Sequence, residues 1–187
     1  MKKIKIVAVV GSLRKESYNR QLALAAKEII GDRADFELLE YQDVPLMNQD
    51  IEYPAPEAVK RVRNEVKSAD GIWFFIPEYN HFFSGVLKNL IDWLSRPISD
   101  QERQVLAGKP AAISGISPSM IGTSIAQDHL VTLISLLNMD VMNVPRLTIP
   151  NVMQQLDSDN KLTLKESYPY LEKQVNSFLS FITKRNQ

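Results

Sequence analysis

No cysteine occurs among the 187 residues, which removes disulfides, thiolate metal sites and cysteine nucleophiles together. Histidine is almost as scarce: His81 and His129 are the only two, too few for a histidine-rich metal centre. An excess of one charge is missing as well. Lys and Arg number 22, as do Asp and Glu, and a chain without a basic face is not built to hold nucleic acid. Long apolar runs are absent too, and no stretch approaches the roughly 18 uninterrupted apolar residues of a membrane span. The opening "MKKIKIVAVVGSLRKES" has the outline of a secretory leader. Lys5 breaks it, however, and Ile6 to Val10 is too short for a leader's apolar core, so it reads as a first buried strand. A soluble, cytoplasmic protein with no membrane or nucleic-acid partner is expected.

What remains is ordinary globular material, 44% apolar and 24% charged, in a length that suits one domain over residues 1–187. Strand and helix signals alternate throughout. "IKIVAVV" is β-branched; "NRQLALAAKEII" puts Leu22, Ala25, Ala26, Ile29 and Ile30 on one helical face; "DFELLEY" is a short strand. "EAVKRVRNEVKSA" carries Val59, Val62 and Val66 at helical spacing. "GIWFFI" is a strand, and "SGVLKNLIDWLS" a helix with Val86, Leu87, Leu90, Ile91 and Leu94. "PAAISGI", "TSIAQDHLVTLISLLN", a last strand inside "DVMNVPRLTI" and a closing helix in "SYPYLEKQVNSFLSFITKRN" complete the series. Five apolar strands separated by helices imply a parallel sheet covered on both faces. The flavodoxin-like, doubly wound α/β order 2-1-3-4-5 is the expected solution, with ligands beyond the carboxyl ends of strands 1 and 3, where the order reverses.

The two loops at that reversal should therefore carry the chemistry together. The first, "GSLRKESYNR", offers Ser12, Ser17 and Asn19 with the cations Arg14, Lys15 and Arg20, just before a helix whose free N–H groups point into the loop. Such a set suits a phosphate. It lacks both GxxxxGK[ST] and GxGxxG, so a side-chain cradle around a terminal monophosphate fits better than a pyrophosphate site. Ser17 or Asn19 taken singly reads equally as a helix cap. The second loop, "PEYNHFFS", supplies backbone amides and flat apolar surface for a ring. A monophosphate tail on a flat ring with one polar edge describes flavin mononucleotide.

At "GSLRKESYNR", "PEYNHFFSGVLKNLIDWLSR" and "GKPAAISGIS" the chain resembles the NADPH-dependent FMN reductases, a family that includes quinone, chromate and azo-dye reductases. The resemblance implies FMN contacts at Ser12, Arg14, Ser17 and Asn19 for the phosphate. For the ring it implies Pro77, Glu78, Tyr79 and Asn80, with Ser117 in the third ligand loop. It further implies NADPH or NADH as hydride donor, a small-molecule acceptor (quinone, azo compound, free flavin or metal oxyanion), and a homodimer or homotetramer. No acid, base or nucleophile is nominated, because the flavin carries the chemistry. Two departures stand out. His81, Phe82, Phe83 and Ser84 replace the family's small residues and proline, and "GISPSMIGTSIAQ" replaces a glycine-rich third loop.

Other readings are weighed against this one. Phe82 and Phe83 read as core residues, with at least one ring exposed at the site. His81 reads as a solvated or structural histidine. Trp93 lies outside the Val86, Leu90, Leu94 stripe and suggests a second apolar face at a subunit interface. "GISPS" is not a hydrolase nucleophile elbow, since Ser119 takes the final glycine's place and His129 follows too soon. The acidic pair and phosphoacceptor Asp of a receiver domain are missing. A non-enzymatic electron carrier or redox sensor of the same fold is the main alternative; a net charge of zero weighs against the carrier, which needs an acidic docking face.

Overall fold

The computed structural model describes residues 3–185. Six strands and five helices follow one another as β1 (Ile4–Val10), α1 (Tyr18–Ile30), β2 (Ala34–Leu38), α2 (Glu57–Ser68), β3 (Gly71–Phe75) and α3 (Gly85–Leu94). β4 (Pro110–Ile116), α4 (Ser124–Leu136), β5 (Asp140–Val141), β6 (Leu147–Ile149) and α5 (Tyr168–Arg185) complete the chain. All strands are parallel in the order β2-β1-β3-β4-β5, with β6 also on β4. The expected flavodoxin-like arrangement is therefore present.

Alternation along each strand sends side chains to two separate cores, as parallel strands covered on both faces require. Ile6, Ala8, Val10, Trp73, Phe75, Ala112 and Ile116 pack beneath α1 and α5. Val7, Val9, Ile72, Phe74, Ile113 and, from α2, Val62 and Val66 pack with α3 and α4 on the other face. α5 lies so close to β3 that a Cβ at Gly71 would come within 2.6 Å of Ile182.

The fifth strand departs from the sequence reading, because it is split. β5 pairs with Pro110 and Ala111, with the Met142 N–H still donating to the Ala111 carbonyl at 2.8 Å, β6 pairs with Ser114 to Ile116, and residues 143–146 leave the ladder between them. Pro145, in that gap, has no N–H to donate. Buried Gln174 of α5 takes over there, donating to the Ile113 carbonyl at 2.8 Å and the Pro145 carbonyl at 3.0 Å. Its own oxygen accepts from Ser114 Oγ at 2.6 Å, and that hydroxyl accepts from the Trp73 indole at 2.8 Å. A side chain from a distant helix thus completes what the backbone of the gap cannot.

Trp93 also corrects an expectation. It does give α3 a second apolar face, but that face is covered within the chain by Val44, Met47, Ala55 and Val59. The indole donates to the Pro45 carbonyl at 2.8 Å, and its burial is complete. The loop after β2 earns its length by sealing this tryptophan, and Trp93 marks no subunit interface.

Candidate functional site

The end of β1 is fixed from three directions. The Val10 carbonyl accepts from Tyr41 Oη at 2.6 Å, the Gly11 carbonyl accepts from Ser84 Oγ at 2.6 Å, and the Gly11 N–H donates to the Phe75 carbonyl at 2.8 Å. Burial, and secondarily the neighbouring Glu40, push the Tyr41 phenol above its ordinary pKa, so the hydroxyl stays a donor. A Cβ on Gly11 would lie 3.0 Å from Pro77 Cδ and 3.5 Å from Ser84 Oγ. A side chain here would press on the Pro77 ring, so glycine favours the close approach of the loops after β1 and β3. Ser84 also caps α3, accepting from the Leu87 N–H at 3.4 Å. The loops expected to work together are therefore physically joined.

Within the first loop the nominated residues divide. Ser12 and Arg14 face outward: Ser12 Oγ accepts from the Arg14 N–H at 3.4 Å, and the Arg14 guanidinium lies 4.9 Å from the centre of the Tyr18 ring. Ser17 and Asn19 are buried. Ser17 caps α1, accepting from the Arg20 N–H at 3.3 Å. The Asn19 amide is committed twice to β4, donating to the Ile116 carbonyl at 3.0 Å and accepting from its N–H at 3.1 Å. Among the cations, Arg20 is paired with Glu40 at 2.8 Å. Arg14 and Lys15 have no carboxylate partner among the described residues. Nor do the N–H groups of Ser12, Leu13, Lys15 and Glu16 have a protein acceptor there.

The loop after β3 is a tight hairpin. Tyr79 and Phe82 exchange both backbone hydrogen bonds, at 2.9 and 3.0 Å, around Asn80 and His81. Both central residues have positive φ, 52° and 59°, the geometry of a type I′ turn. Asparagine accepts that region readily; histidine does so at a cost of about 1–2 kcal/mol. The N–H groups of Glu78, Asn80 and His81 have no acceptor among the described residues. Pro77 is buried and Tyr79 exposed. The Glu78 carboxylate does not face outward as a ring contact would. Its Oε2 accepts from the Ala126 N–H at 2.9 Å in the first turn of α4, where a negative charge meets the helix dipole. His81 Nδ1 lies 3.5 Å from the other Glu78 oxygen. Phe83 is core, whereas the half-exposed Phe82 ring sits 4.5 Å from both Phe83 and His129.

The third loop is self-contained. Buried Ser117 donates from Oγ to the Gly122 carbonyl at 2.6 Å and accepts from the Ser119 N–H at 3.2 Å, while its own N–H holds the Ile149 carbonyl at 3.1 Å. Gly115 beneath it has no room for a Cβ, which would fall 2.0 Å from Thr123 Oγ1 and 2.5 Å from the Ile76 carbonyl. Sequence reasoning passed over both Ser84 and Thr123 as site-positioning residues. Ser84 carried a usable signal, a serine directly before an apolar helix; Thr123 carried none, since its contact depends on sheet register.

The donor set fits a flavin phosphate and a polar ring edge. Unpaired cations, hydroxyls and free N–H groups crowd the first loop, and free N–H groups line the turn after β3. Among the described residues no group of acidic, histidine or cysteine side chains could hold a metal ion.

Comparison with known proteins agrees with this chemistry. The model of a family described as NADPH-dependent FMN reductase matches residues 4–154. A 2-hydroxy-1,4-benzoquinone reductase of a Burkholderia species is 35% identical over 182 residues, covering 97% of this chain and 98% of the relative. A quinone reductase of Pseudomonas putida is 38% identical over 178 residues, 95% and 94% of the two chains. Among solved structures, FerB from Paracoccus denitrificans, a flavoenzyme NAD(P)H:(acceptor) oxidoreductase, superposes with a TM-score of 0.87. It is 32% identical and covers 97% of this chain and 98% of its own.

Proposed function

Because the chain belongs to the NADPH-dependent FMN reductase family, we propose that it is a quinone reductase whose FMN lies across the loops after β1 and β3. It is an NAD(P)H-dependent FMN oxidoreductase; the quinone is the finer step, supported by the names of the two relatives. Bound FMN supplies hydride chemistry between a nicotinamide and the acceptor. The chain's own residues bind and orient. Arg14 and Ser12, with the free N–H groups of their loop, hold the phosphate. The N–H groups of Glu78, Asn80 and His81 face the polar ring edge, while Glu78 itself anchors the turn to α4.

The observation that carries this reading is the junction at Gly11. The donor-rich loop and the N–H-lined turn are locked together there by Ser84 and Pro77. Heat release of the cofactor followed by chromatography tests it: FMN should be recovered, and FAD would overturn the assignment. Steady-state NADPH oxidation with a quinone separates the enzyme from a carrier or sensor.

The same reading includes self-association as a homodimer or homotetramer. With Trp93 sealed inside its own chain, the supporting surface is another one. Exposed Leu13, Leu46 and Val86 surround a shallow hollow of about 150 Å³ beside the first loop. A cytoplasmic location belongs to this proposal too; no helix among the described residues is long and apolar enough to cross a membrane.

A further inference from the structure

Aromatic rings are mostly withdrawn from water, yet the turn after β3 leaves two of them outside. Tyr79 is 56% exposed and Phe82 43%. The two residues exchange both backbone hydrogen bonds, and directly opposed residues of an antiparallel pair send their side chains to one face. We infer that Phe82, propped by His129 of α4, is the wall on which the electron acceptor packs, and that it selects neutral, flat, ring-bearing acceptors over metal oxyanions. The inference rests on reading the chain as a quinone reductase whose flavin sets its polar edge on this turn.

Packing makes the Phe82 ring a fixed surface. Its centre lies 4.5 Å from the rings of both Phe83 and His129, with the planes inclined at 35° and 33°. Phe83 is buried in the core. His129 belongs to α4, the helix whose first turn also holds Glu78 through the Ala126 N–H. One helix thus steadies both the start of the turn and the ring at its end. A side chain held by two neighbours has little rotamer freedom left to lose when a further ring packs on it.

Charge separates the acceptor classes. Asp128, next to His129, is paired with Arg146 at 2.8 Å. Glu78 is spent on the Ala126 N–H and on His81. The charged groups bonded around this wall are therefore already matched, and none of them offers a free cation. A doubly negative oxyanion brought here would give up water without gaining a counter-charge. A neutral fused ring would instead bury apolar area against Phe82 and Tyr79 and gain the added attraction between aromatic rings.

The experiment compares Phe82→Ala, His129→Ala and the double variant in the FMN-loaded protein. 1,4-Naphthoquinone is titrated into the oxidised protein without NADPH, and flavin fluorescence reports binding. Phe82→Ala should weaken binding about tenfold and His129→Ala less. The double variant should lose no more than Phe82→Ala alone, because His129 acts through the ring that it supports. His129→Phe keeps a ring beside Phe82 and should restore the parent's affinity. In turnover, KM for naphthoquinone should follow the binding change, whereas KM for chromate and the affinity for FMN should hold. Unchanged naphthoquinone binding in Phe82→Ala overturns the inference. So does an equal rise in KM for naphthoquinone and chromate, or a fall in FMN affinity, which would turn the ring towards the cofactor. Strictly additive losses would remove His129 from the wall. Binding is read without turnover, so failure of the enzyme assignment shows separately, as a protein from which no FMN is recovered.

Discussion

Arg14 and Asn19 both stand in the first loop as phosphate candidates, yet the structure uses them in opposite ways. Arg14 is exposed and its one aromatic contact is with Tyr18, so removing it should leave the fold intact. Arg14→Ala should lower FMN affinity by about ten- to a hundredfold, as expected for losing a charged hydrogen bond of on the order of 1.5–3 kcal/mol. Riboflavin has no phosphate, and its binding, titrated in parallel, should not change; an equal fall for both ligands would refute the clamp. Asn19 is the reverse case. Asn19→Ala strands the N–H and carbonyl of fully buried Ile116, and should cost roughly 2–3 kcal/mol in denaturant unfolding. Sequence could not separate the two, because an asparagine beside an arginine can turn its amide to an anion or to the backbone, and nothing local says which. What assigns Asn19 is the register that brings Ile116 beside α1, and register is a long-range property. His81 holds a smaller lesson. Its left-handed backbone costs about 1–2 kcal/mol, more than the roughly 0.5–1 kcal/mol of chain entropy that glycine gives up. His81→Gly should therefore raise thermal stability slightly, and a lower melting temperature would show that the imidazole's contact with Glu78 outweighs the strain.

Among the elements, those with strong periodicity were legible in the sequence: the valine stripe of α2, the unbroken apolar strands and the helix-strand order all appear where expected. The interruption of the fifth strand was not. "DVMNVPRLTI" has enough apolar character for one continuous strand, and its division depends on Pro145 together with Gln174, distant in sequence. Trp93 was misplaced for a similar reason: its partners come from the polar, proline-rich loop after β2, which showed no sign of packing value. The third ligand loop, by contrast, can be tested at one position. Gly115→Ala would press a methyl group into Thr123 Oγ1 and the Ile76 carbonyl. One of those obstacles is backbone and cannot rotate away, so destabilisation of about 3 kcal/mol or more is expected. Calorimetric unfolding should report it, along with weakened FMN binding as the loop shifts.

The whole molecule should be at least dimeric. Light scattering at micromolar concentration should return a mass at least twice that of the chain, and a monomer would defeat the expectation. Leu46, 81% exposed within its own chain, should tolerate Leu46→Asp with little change in monomer stability, yet the substitution should drive the assembly towards monomer. The divided fifth strand also matters beyond the site. A long flat strand at the rim of a sheet offers a row of unpaired backbone groups on which another molecule's strand can add, the first step of aggregation. Here one rim consists of pieces two and three residues long around a proline. The other rim, β2, carries Asp35 and Glu37 in ion pairs with Lys3 and Lys5 at 2.9 Å. Neither margin is a template for strand addition, so copies of this chain are directed to meet through side chains and not through their sheets.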